Sequence, residues 1–291
     1  LPESHERDDL QGRLSRMNIG TLLSKAARTY PENLAIARGA SEWTYARFNG
    51  RVNQLANALF RLGIRQGDNV ALLMFNCPEM LESLFACFKA GCGAVPINFR
   101  LHPKEFAFIV DHSESRALII SPEFDAAVAG VRDQIPRVQQ VIAVSGAREG
   151  AMDYAALLSA ESDQFDDEDV AGEEVAWMFY TSGTTGLPKG AMLTHRNLLA
   201  MTMNFYADMC PGFGANEVVL HAAPLSHGSG LYALPNVGKA GANIIPGRRQ
   251  AAIHRKHGCS HIGSVVRSEE QDHLGHRFLT GPRPRRQARS S

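Results

Sequence analysis

Short apolar runs alternate with amphipathic stretches through the first half of the chain. Asn69–Phe75 and Val138–Val144 consist mainly of apolar residues, which is typical of strands buried on both faces. Between such runs, apolar residues recur at spacings of three and four in Tyr45–Leu62 and in Pro78–Ala90, and this period predicts helices. A further helix is predicted over residues 123–134. Strands that alternate with helices at this pace indicate βαβ units and a parallel sheet, so the predicted fold class is α/β.

A polar, glycine-rich loop follows the last of the apolar runs. Val175–Tyr180 predicts a buried strand, and Tyr180–Gly190 then holds four Ser or Thr residues, three glycines and one lysine. Glycines let the backbone approach a ligand, and successive amides form an anion-binding concavity. The pattern predicts a phosphate-binding loop, with a surface turn as the alternative reading of a Ser, Thr and Gly cluster. It is not a Walker A loop, because Pro188 precedes Lys189 and Gly190 follows it.

This loop resembles the phosphate-loop signature of the adenylate-forming (AMP-binding) superfamily, in particular its acyl-CoA synthetases, or fatty-acid–CoA ligases. The resemblance continues through residues 191–198, which in that family open the helix after the loop, and through Pro224–Gly230. Earlier landmarks are matched by residues 43–48, 67–72 and 89–98. The likeness covers about residues 17–246. It implies parallel-rich sheets flanked by helices, as in the large N-terminal domain of acyl-CoA synthetases, here incomplete.

The resemblance implies ATP-dependent activation of a carboxylic acid to an acyl-adenylate, followed by transfer to a thiol. ATP, Mg²⁺ and coenzyme A are the implied cofactors and co-substrates; the identity of the acid stays open, as does a carrier-protein thiol in place of coenzyme A. His227 is expected to line the acyl pocket near the thiol channel, with a structural, hydrogen-bonded histidine as the alternative. Ser226 stands where the family commonly has an aromatic residue. The residues expected to hold the ATP phosphates are Thr181, Ser182, Gly183, Thr184, Thr185, Gly186 and Lys189.

Composition gives no membrane or secretory signal. No uninterrupted apolar run reaches about 18 residues, so a transmembrane helix is not expected. Residues 1–16 are polar, which does not fit a signal peptide. Cys77, Cys87 and Cys92 lie among apolar neighbours, as small core residues of a reducing, cytoplasmic protein do. Trp177 is likewise expected in the core, together with Phe179 of the same strand, and stacking on a ligand is the alternative.

Charge and pattern change near the end of the chain. Residues 247–291 hold ten Lys or Arg against three Asp or Glu, and five of the eleven histidines. We therefore divide the chain into an N-terminal extension (residues 1–16), a partial adenylation domain (residues 17–246) and a basic tail outside the family (residues 247–291). A shifted reading frame is the favoured origin of that tail, and a genuine tail is the alternative. Its composition favours disorder over nucleic-acid binding. It also contains a cramped, weak zinc motif made of His254, His257, Cys259 and His261.

With that division, the chain lacks the family's adenine-binding segment, its ribose-binding Asp and its C-terminal catalytic lysine. We therefore expect the chain alone to be inactive, and a non-catalytic nucleotide- or partner-binding fragment is the alternative function. The acidic stretch Asp163–Asp169 is expected to be a solvated linker rather than a metal site. His195 and Arg196 are expected to be surface residues at the start of a helix, with a positioning role as the alternative.

Overall fold

The computed structural model describes residues 17–146, 150–181 and 187–247, and the backbone of residues 264–267. It has a mixed α/β fold, as the sequence predicts. The helices are α1 (Thr21–Thr29), α2 (Tyr45–Arg61), α3 (Pro78–Lys89), α4 (Pro103–His112), α5 (Asp125–Ala129), α6 (Tyr154–Ser159), α7 (His195–Asn204) and α8 (Gly228–Gly238). The strands are β1 (Leu34–Arg38), β2 (Ser41–Thr44), β3 (Asn69–Leu73), β4 (Gly93–Pro96), β5 (Ala117–Ile120), β6 (Gln140–Ala143), β7 (Met152–Asp153), β8 (Val175–Thr181), β9 (Lys189–Thr194), β10 (Glu217–Leu220), β11 (Ala242–Ile244) and β12 (Ser264–Arg267).

The larger sheet has seven strands in the order β7-β6-β5-β3-β4-β8-β9. Neighbouring strands are parallel except for β8 and β9, which form an antiparallel hairpin. The central strands are buried on both faces, since Val70 and Leu72 of β3 pack into one apolar cluster while Ala71 and Leu73 pack into another. This two-sided burial explains the continuous apolar runs in the sequence. The predicted parallel sheet is therefore confirmed.

The smaller sheet has five strands in the order β12-β10-β11-β1-β2. β10, β11 and β1 are parallel, and β12 and β2 add antiparallel at the two edges. β12 lies within residues 247–291, the segment that the sequence pattern places outside the family. In the backbone register, Arg267 of β12 is opposite Glu217 of β10. The domain boundary at residue 246 stays a prediction. The N-terminal extension and the weak zinc motif lie outside the described residues.

Local signals explain where the central helices begin. The Thr44 hydroxyl accepts a hydrogen bond from the Arg47 amide at 3.2 Å, so Thr44 caps α2 as predicted. Phe48 and Leu55 lie on the buried face of that helix. Pro78 occupies the first turn of α3, where the missing amide hydrogen removes no helical hydrogen bond. Both helices agree with the predicted spans to within one residue.

The predicted helix over residues 123–134 is wrong in its middle. The structure has a 3₁₀ turn at Pro122–Phe124, then the short helix α5, then a second 3₁₀ turn at Arg132–Gln134. Gly130 is the C-cap of α5 and has right-handed helical backbone angles (φ −70°, ψ −10°), so it is not a left-handed cap. The apolar spacing is helical, but the regular α-helix covers only Asp125–Ala129.

The predicted solvated linker is only partly right, because Asp163, Gln164, Asp166 and Asp169 are exposed but the segment is bound to the helices beside it. Residues 161–170, which we call the acidic strap, run along α2 and the end of α3. The Asn53 side-chain amide donates to the Asp163 carbonyl at 2.7 Å, and Asp167 pairs with the buried Lys89 ammonium at 3.2 Å. The Glu168 amide donates to the Lys89 carbonyl at 2.8 Å. Within the described part of the chain, no three His, Cys, Asp or Glu side chains gather as a metal site.

The cysteines and the helices bear on two further expectations. Cys77, Cys87 and Cys92 are buried and unpaired, in agreement with their predicted place in the core. Cys259 lies outside the described residues. Of the helices that the structure describes, none combines the length and the apolar character needed to cross a membrane.

Candidate active site

The predicted phosphate loop joins the two strands of a hairpin. β8 ends at Thr181 and β9 begins at Lys189, and these two residues lie opposite each other in the antiparallel register. Both are exposed, so a hydroxyl and an ammonium group flank the loop at the carboxyl end of β8. Parallel sheets bind ligands at this end of their strands. The other predicted phosphate contacts lie outside the described residues: Ser182, Gly183, Thr184, Thr185 and Gly186.

The helix after the loop, α7, begins at His195, where its start is expected, but a strand precedes it. Residues 189–194 form that strand, β9. Thr194 caps α7, since its hydroxyl accepts from the Asn197 amide at 3.2 Å while the Asn197 side chain accepts from the Thr194 amide at 3.1 Å. The loop is therefore held by a strand on each side rather than by a strand and a helix.

One face of the hairpin carries two of the predicted site residues, and a third packs against it. Side chains alternate between faces along a strand, so Phe179 and Thr181 share a face of β8. Lys189 is directly opposite Thr181 and therefore shares that face too. The His227 ring contacts the Phe179 ring on this face, with centroids 5.5 Å apart. Phe179, expected in the core, is thus only half-buried, whereas Trp177 is fully buried as predicted.

On the opposite face of the hairpin, contacts of Tyr180 hold the two strands together next to the loop. The Tyr180 ring covers Gly190, where an added Cβ would come within 2.9 Å of a ring carbon. The Tyr180 hydroxyl lies 2.8 Å from Nδ1 of His112 at the end of α4. A side chain at position 190 would displace the tyrosine, so this glycine is required for the close approach of the two strands. Burial raises the pKa of Tyr180, which keeps its hydroxyl protonated.

His227 is the residue immediately before α8 and is half-buried. The Ser226 hydroxyl lies 3.2 Å from Nδ1 of the His227 ring. Because Nδ1 is engaged in this way, Nε2 is the nitrogen that a ligand can contact. Ser226 itself is buried, so the small residue found where the family commonly has an aromatic one serves here to orient the neighbouring imidazole.

Asn76 links the two sheets at this site, and the sequence reasoning missed it. It follows β3 of the larger sheet, and its side-chain amide donates to the carbonyls of His221 at 3.1 Å and Ala223 at 2.8 Å. Its side-chain oxygen accepts from the Leu225 amide at 2.9 Å. Residues 221–225 follow β10 of the smaller sheet, so the carboxyl ends of the two sheets meet here. The available signal was a polar residue directly after a buried strand.

Close packing explains why the motif Pro224–Gly230 ends in a glycine. An added Cβ would lie 2.1 Å from the Leu225 carbonyl oxygen and 2.8 Å from the Trp177 ring. Because backbone cannot move aside as a flexible side chain can, any larger residue must shift the first turn of α8. The position of His227 therefore depends on this glycine.

The expectation for the two residues that open α7 is half wrong. Arg196 is exposed and pairs with Glu173 at 2.5 Å, as a surface residue would. His195 is fully buried instead, and its Nδ1 accepts from the Ile19 amide at 3.1 Å. Burial lowers the pKa of His195 to about 4, so the ring is neutral near pH 7. It ties α7 to the segment before α1 and has a structural role.

The sequence profile of the family described as "AMP-binding enzyme" matches residues 23–268. The chain is 34% identical to a feruloyl-CoA synthase of Amycolatopsis sp over 264 residues, which cover 90% of this chain and 48% of that protein. It is 33% identical to a long-chain-fatty-acid–CoA ligase of Thermus thermophilus over 245 residues, which cover 80% and 44%. The chain thus spans about half the length of these curated relatives. The profile match ends at residue 268, beyond the predicted boundary at residue 246.

Solved structures agree on the fold. An anthranilate CoA ligase crystallised in complex with anthranoyl-AMP superimposes with a TM-score of 0.78 at 24% identity, covering 83% of this chain and 47% of that one. The N-terminal domain of FACL13 from Mycobacterium tuberculosis, crystallised with an inhibitor, gives a TM-score of 0.72 at 27% identity, covering 79% and 57%. The architecture of the described residues is therefore that of the N-terminal domain of acyl-CoA synthetases.

Proposed function

We propose, since this chain belongs to the AMP-binding enzyme family, that the protein activates a carboxylic acid with ATP and transfers the acyl group to coenzyme A. A carboxylate oxygen attacks the α-phosphorus of ATP, the bond from that phosphorus to the bridging oxygen breaks, and pyrophosphate leaves. The thiol sulfur then attacks the acyl carbon of the acyl-adenylate. The carbon–oxygen bond to AMP breaks, AMP leaves and the thiol proton is released.

The observation that carries the proposal is the shared face of the hairpin. Pyrophosphate departure requires positive charge and hydrogen-bond donors at the β- and γ-phosphates. Lys189 supplies an exposed point charge directly opposite the Thr181 hydroxyl, and Ser182 to Gly186 join them as the proposed phosphate loop. Mg²⁺ would accompany the triphosphate and add further charge. Among the described residues no three His, Cys, Asp or Glu side chains gather as a metal site.

The acid is proposed to lie beside His227. The His227 ring contacts Phe179, two residues before the end of β8, so an acid held there lies along the same strand that ends in the phosphate loop. The spacing along a strand is about 3.3 Å per residue, which separates positions 179 and 181 by roughly 7 Å. This distance suits a carboxylate that must reach the α-phosphate of a nucleotide whose β- and γ-phosphates are at the loop.

The experiment is a paired binding and turnover assay on the whole chain. ATP binding is measured by calorimetry, and release of pyrophosphate and AMP is measured with ATP, Mg²⁺, coenzyme A and either ferulate or a long-chain fatty acid. Lys189→Ala is expected to weaken ATP binding roughly tenfold to a hundredfold, because it removes a charged hydrogen-bond donor from the phosphates. Lys25→Ala changes an exposed lysine of α1 and is the matched control.

The outcomes separate the proposal from its alternative. Acid-dependent release of pyrophosphate that falls with Lys189→Ala supports the proposal, and it would contradict the expectation that the chain alone is inactive. ATP binding without turnover for any acid favours the non-catalytic nucleotide-binding alternative. Equal ATP affinity in both lysine variants would remove Lys189 from the phosphate site.

A further inference from the structure

His221 is a fully buried histidine that the proposed reaction does not use. It follows β10, and both of its ring nitrogens have partners: Nδ1 lies 2.9 Å from the Ser229 hydroxyl and Nε2 lies 2.9 Å from Oδ1 of Asn243. Burial lowers the pKa of His221 to about 4, so the ring is neutral near pH 7. A neutral imidazole has one donor and one acceptor, and the neighbours decide which nitrogen is which.

The direction of each hydrogen bond follows from one carbonyl group. The Asn243 side-chain nitrogen lies 3.0 Å from the Ala35 carbonyl oxygen, which can only accept. The amide of Asn243 is therefore oriented with its oxygen toward His221. That oxygen also only accepts, so Nε2 of His221 carries the proton and Nδ1 is bare. The Ser229 hydroxyl must then donate to Nδ1.

Ser229 connects the buried residues His221 and Asn243 to the candidate active site. It lies in the first turn of α8, two residues after His227. In the described structure no side chain caps the amides of this turn. The bond from Ser229 to His221 is therefore the side-chain contact that ties the start of α8 to strand β10. The Asn76 side-chain amide donates to the backbone carbonyl of His221 at 3.1 Å, at the start of the segment that leads from β10 to α8.

We propose that His221 is a positioning residue for the acid site. His221 accepts a hydrogen bond from the Ser229 hydroxyl, and this bond keeps the His227 ring against Phe179. This inference deepens the proposed function and rests on it for the role of His227. Loss of the Ser229 bond frees the first turn of α8 to shift, and the His227 ring then leaves Phe179. Loss of the Asn243 bond weakens the smaller sheet but leaves the Ser229 contact in place.

Two amide substitutions separate these bonds. In His221→Asn, the side-chain oxygen occupies the place of Nδ1 and still accepts from Ser229, while the bond to Asn243 is lost. In His221→Gln, the side-chain nitrogen occupies the place of Nε2 and still donates to Asn243, while the bond to Ser229 is lost. Each variant is neutral and loses one buried hydrogen bond, so a purely structural role predicts similar loss of stability in both.

The first readout is the NMR spectrum of the whole chain with isotope-labelled histidine. The His227 ring protons, assigned with His227→Gln, should be displaced by the ring current of Phe179, and Phe179→Leu should remove that displacement. We expect His221→Asn to keep the displaced signal and His221→Gln to lose it. A displaced signal in both variants, or in neither, would overturn the proposal.

A second variant covers the case in which His221→Gln does not fold. Ser229→Ala removes the donor without changing His221, and it should abolish the displaced His227 signal in the same way. Ser83→Ala is the matched control, because the buried Ser83 hydroxyl has no hydrogen-bond partner within the described residues. Retention of the displaced signal in Ser229→Ala would overturn the proposal.

The second readout is binding of ferulate to the chain in the presence of ATP. The dissociation constant should rise roughly fivefold to tenfold in His221→Gln and stay within about twofold of wild type in His221→Asn, as expected for one lost hydrogen bond. A wild-type chain with a displaced His227 signal that binds neither ferulate nor a fatty acid contradicts the proposed function and leaves the positioning role standing. Equal weakening in the two variants contradicts the positioning role.

Discussion

Lys89→Met removes a buried charge on which the acidic strap depends. The Lys89 ammonium is almost fully buried at the end of α3 and donates to the side-chain oxygens of Asn49 at 2.7 Å and Asn53 at 2.8 Å. Its ion pair with Asp167 spans 3.2 Å, and the Ser24 hydroxyl donates to the other oxygen of that carboxylate at 2.6 Å. Burial lowers the pKa of Lys89, and the neighbouring Asp167 opposes that shift. Methionine preserves the length of the side chain and removes the charge.

The expected loss of stability follows from what the substitution leaves behind. Removing one partner of a buried ion pair costs about 3–5 kcal/mol, because the other charge stays without compensation. The Asp167 side chain is 14% exposed, so water offsets part of this loss. The buried oxygen of Asn53 also loses its donor, which adds about 1 kcal/mol. We therefore expect a decrease of about 3–4 kcal/mol in the free energy of unfolding, a large share of the 5–15 kcal/mol that is usual for a domain.

The assay is urea unfolding at pH 7 of wild type, Lys89→Met, Asp167→Asn and the double variant. The double variant removes both charges, so its loss should be smaller than the sum of the two single losses by at least about 1 kcal/mol. Lys25→Met changes an exposed lysine and should stay within about 0.5 kcal/mol of wild type. A Lys89→Met variant as stable as Lys25→Met, or strictly additive losses in the double variant, would refute the reasoning.

Two further predictions concern the glycine at the start of α8 and the buried histidines. Gly230→Ala should destabilise the chain by roughly 1–3 kcal/mol and weaken acid binding, because the new Cβ would lie 2.1 Å from the Leu225 carbonyl oxygen. Gly214→Ala is the control, because its new Cβ would have its nearest contact at 3.9 Å. Equal urea midpoints for the two variants would contradict the prediction. The pKa values of His195 and His221 fall from 6.5 to about 4 on folding, so the unfolded chain binds protons first as the pH drops. The contribution of each histidine should therefore be fully present above pH 6.5 and decline toward pH 4 by roughly 3 kcal/mol. Urea midpoints at pH 7.5 and 5 check this, and a His195→Gln variant with the same pH dependence as wild type would contradict it.

Most of the larger sheet could be predicted because its strands are buried on both faces. The apolar run Asn69–Phe75 and the amphipathic period of Tyr45–Leu62 each correspond to one element, and their alternation leaves a parallel sheet as the natural arrangement. The phosphate loop stays a prediction, which rests on residue types that suit an anion; the structure describes only its flanking residues Thr181 and Lys189. The pattern does not show which strands pair. β9 is only partly buried and is directly followed by a helix, and β8 is the strand that it pairs with.

The missed features depend on contacts between residues far apart in sequence. The acidic strap has the composition of a solvated linker, and contacts with Lys89 and with the Asn53 side chain of α2 hold it against the helices. His195 is polar at a helix start, where exposure is usual, but the Ile19 amide binds its ring. Asn76 holds residues about 150 positions away. Local propensity describes each of these residues correctly in isolation and does not include the distant partner.

The acidic strap also determines what a reporter placed on it would measure. A fluorophore attached within residues 161–170 sits on a segment that is bonded to α2, to α3 and to the chain just before α1, where Val170 accepts from the Met17 amide at 2.9 Å. Its signal would report the cooperative unfolding of α2 and α3 rather than local motion of a surface loop. Glutamyl endopeptidase, for the same reason, should spare these carboxylate-rich peptide bonds in the native protein and cut them only after those helices have unfolded.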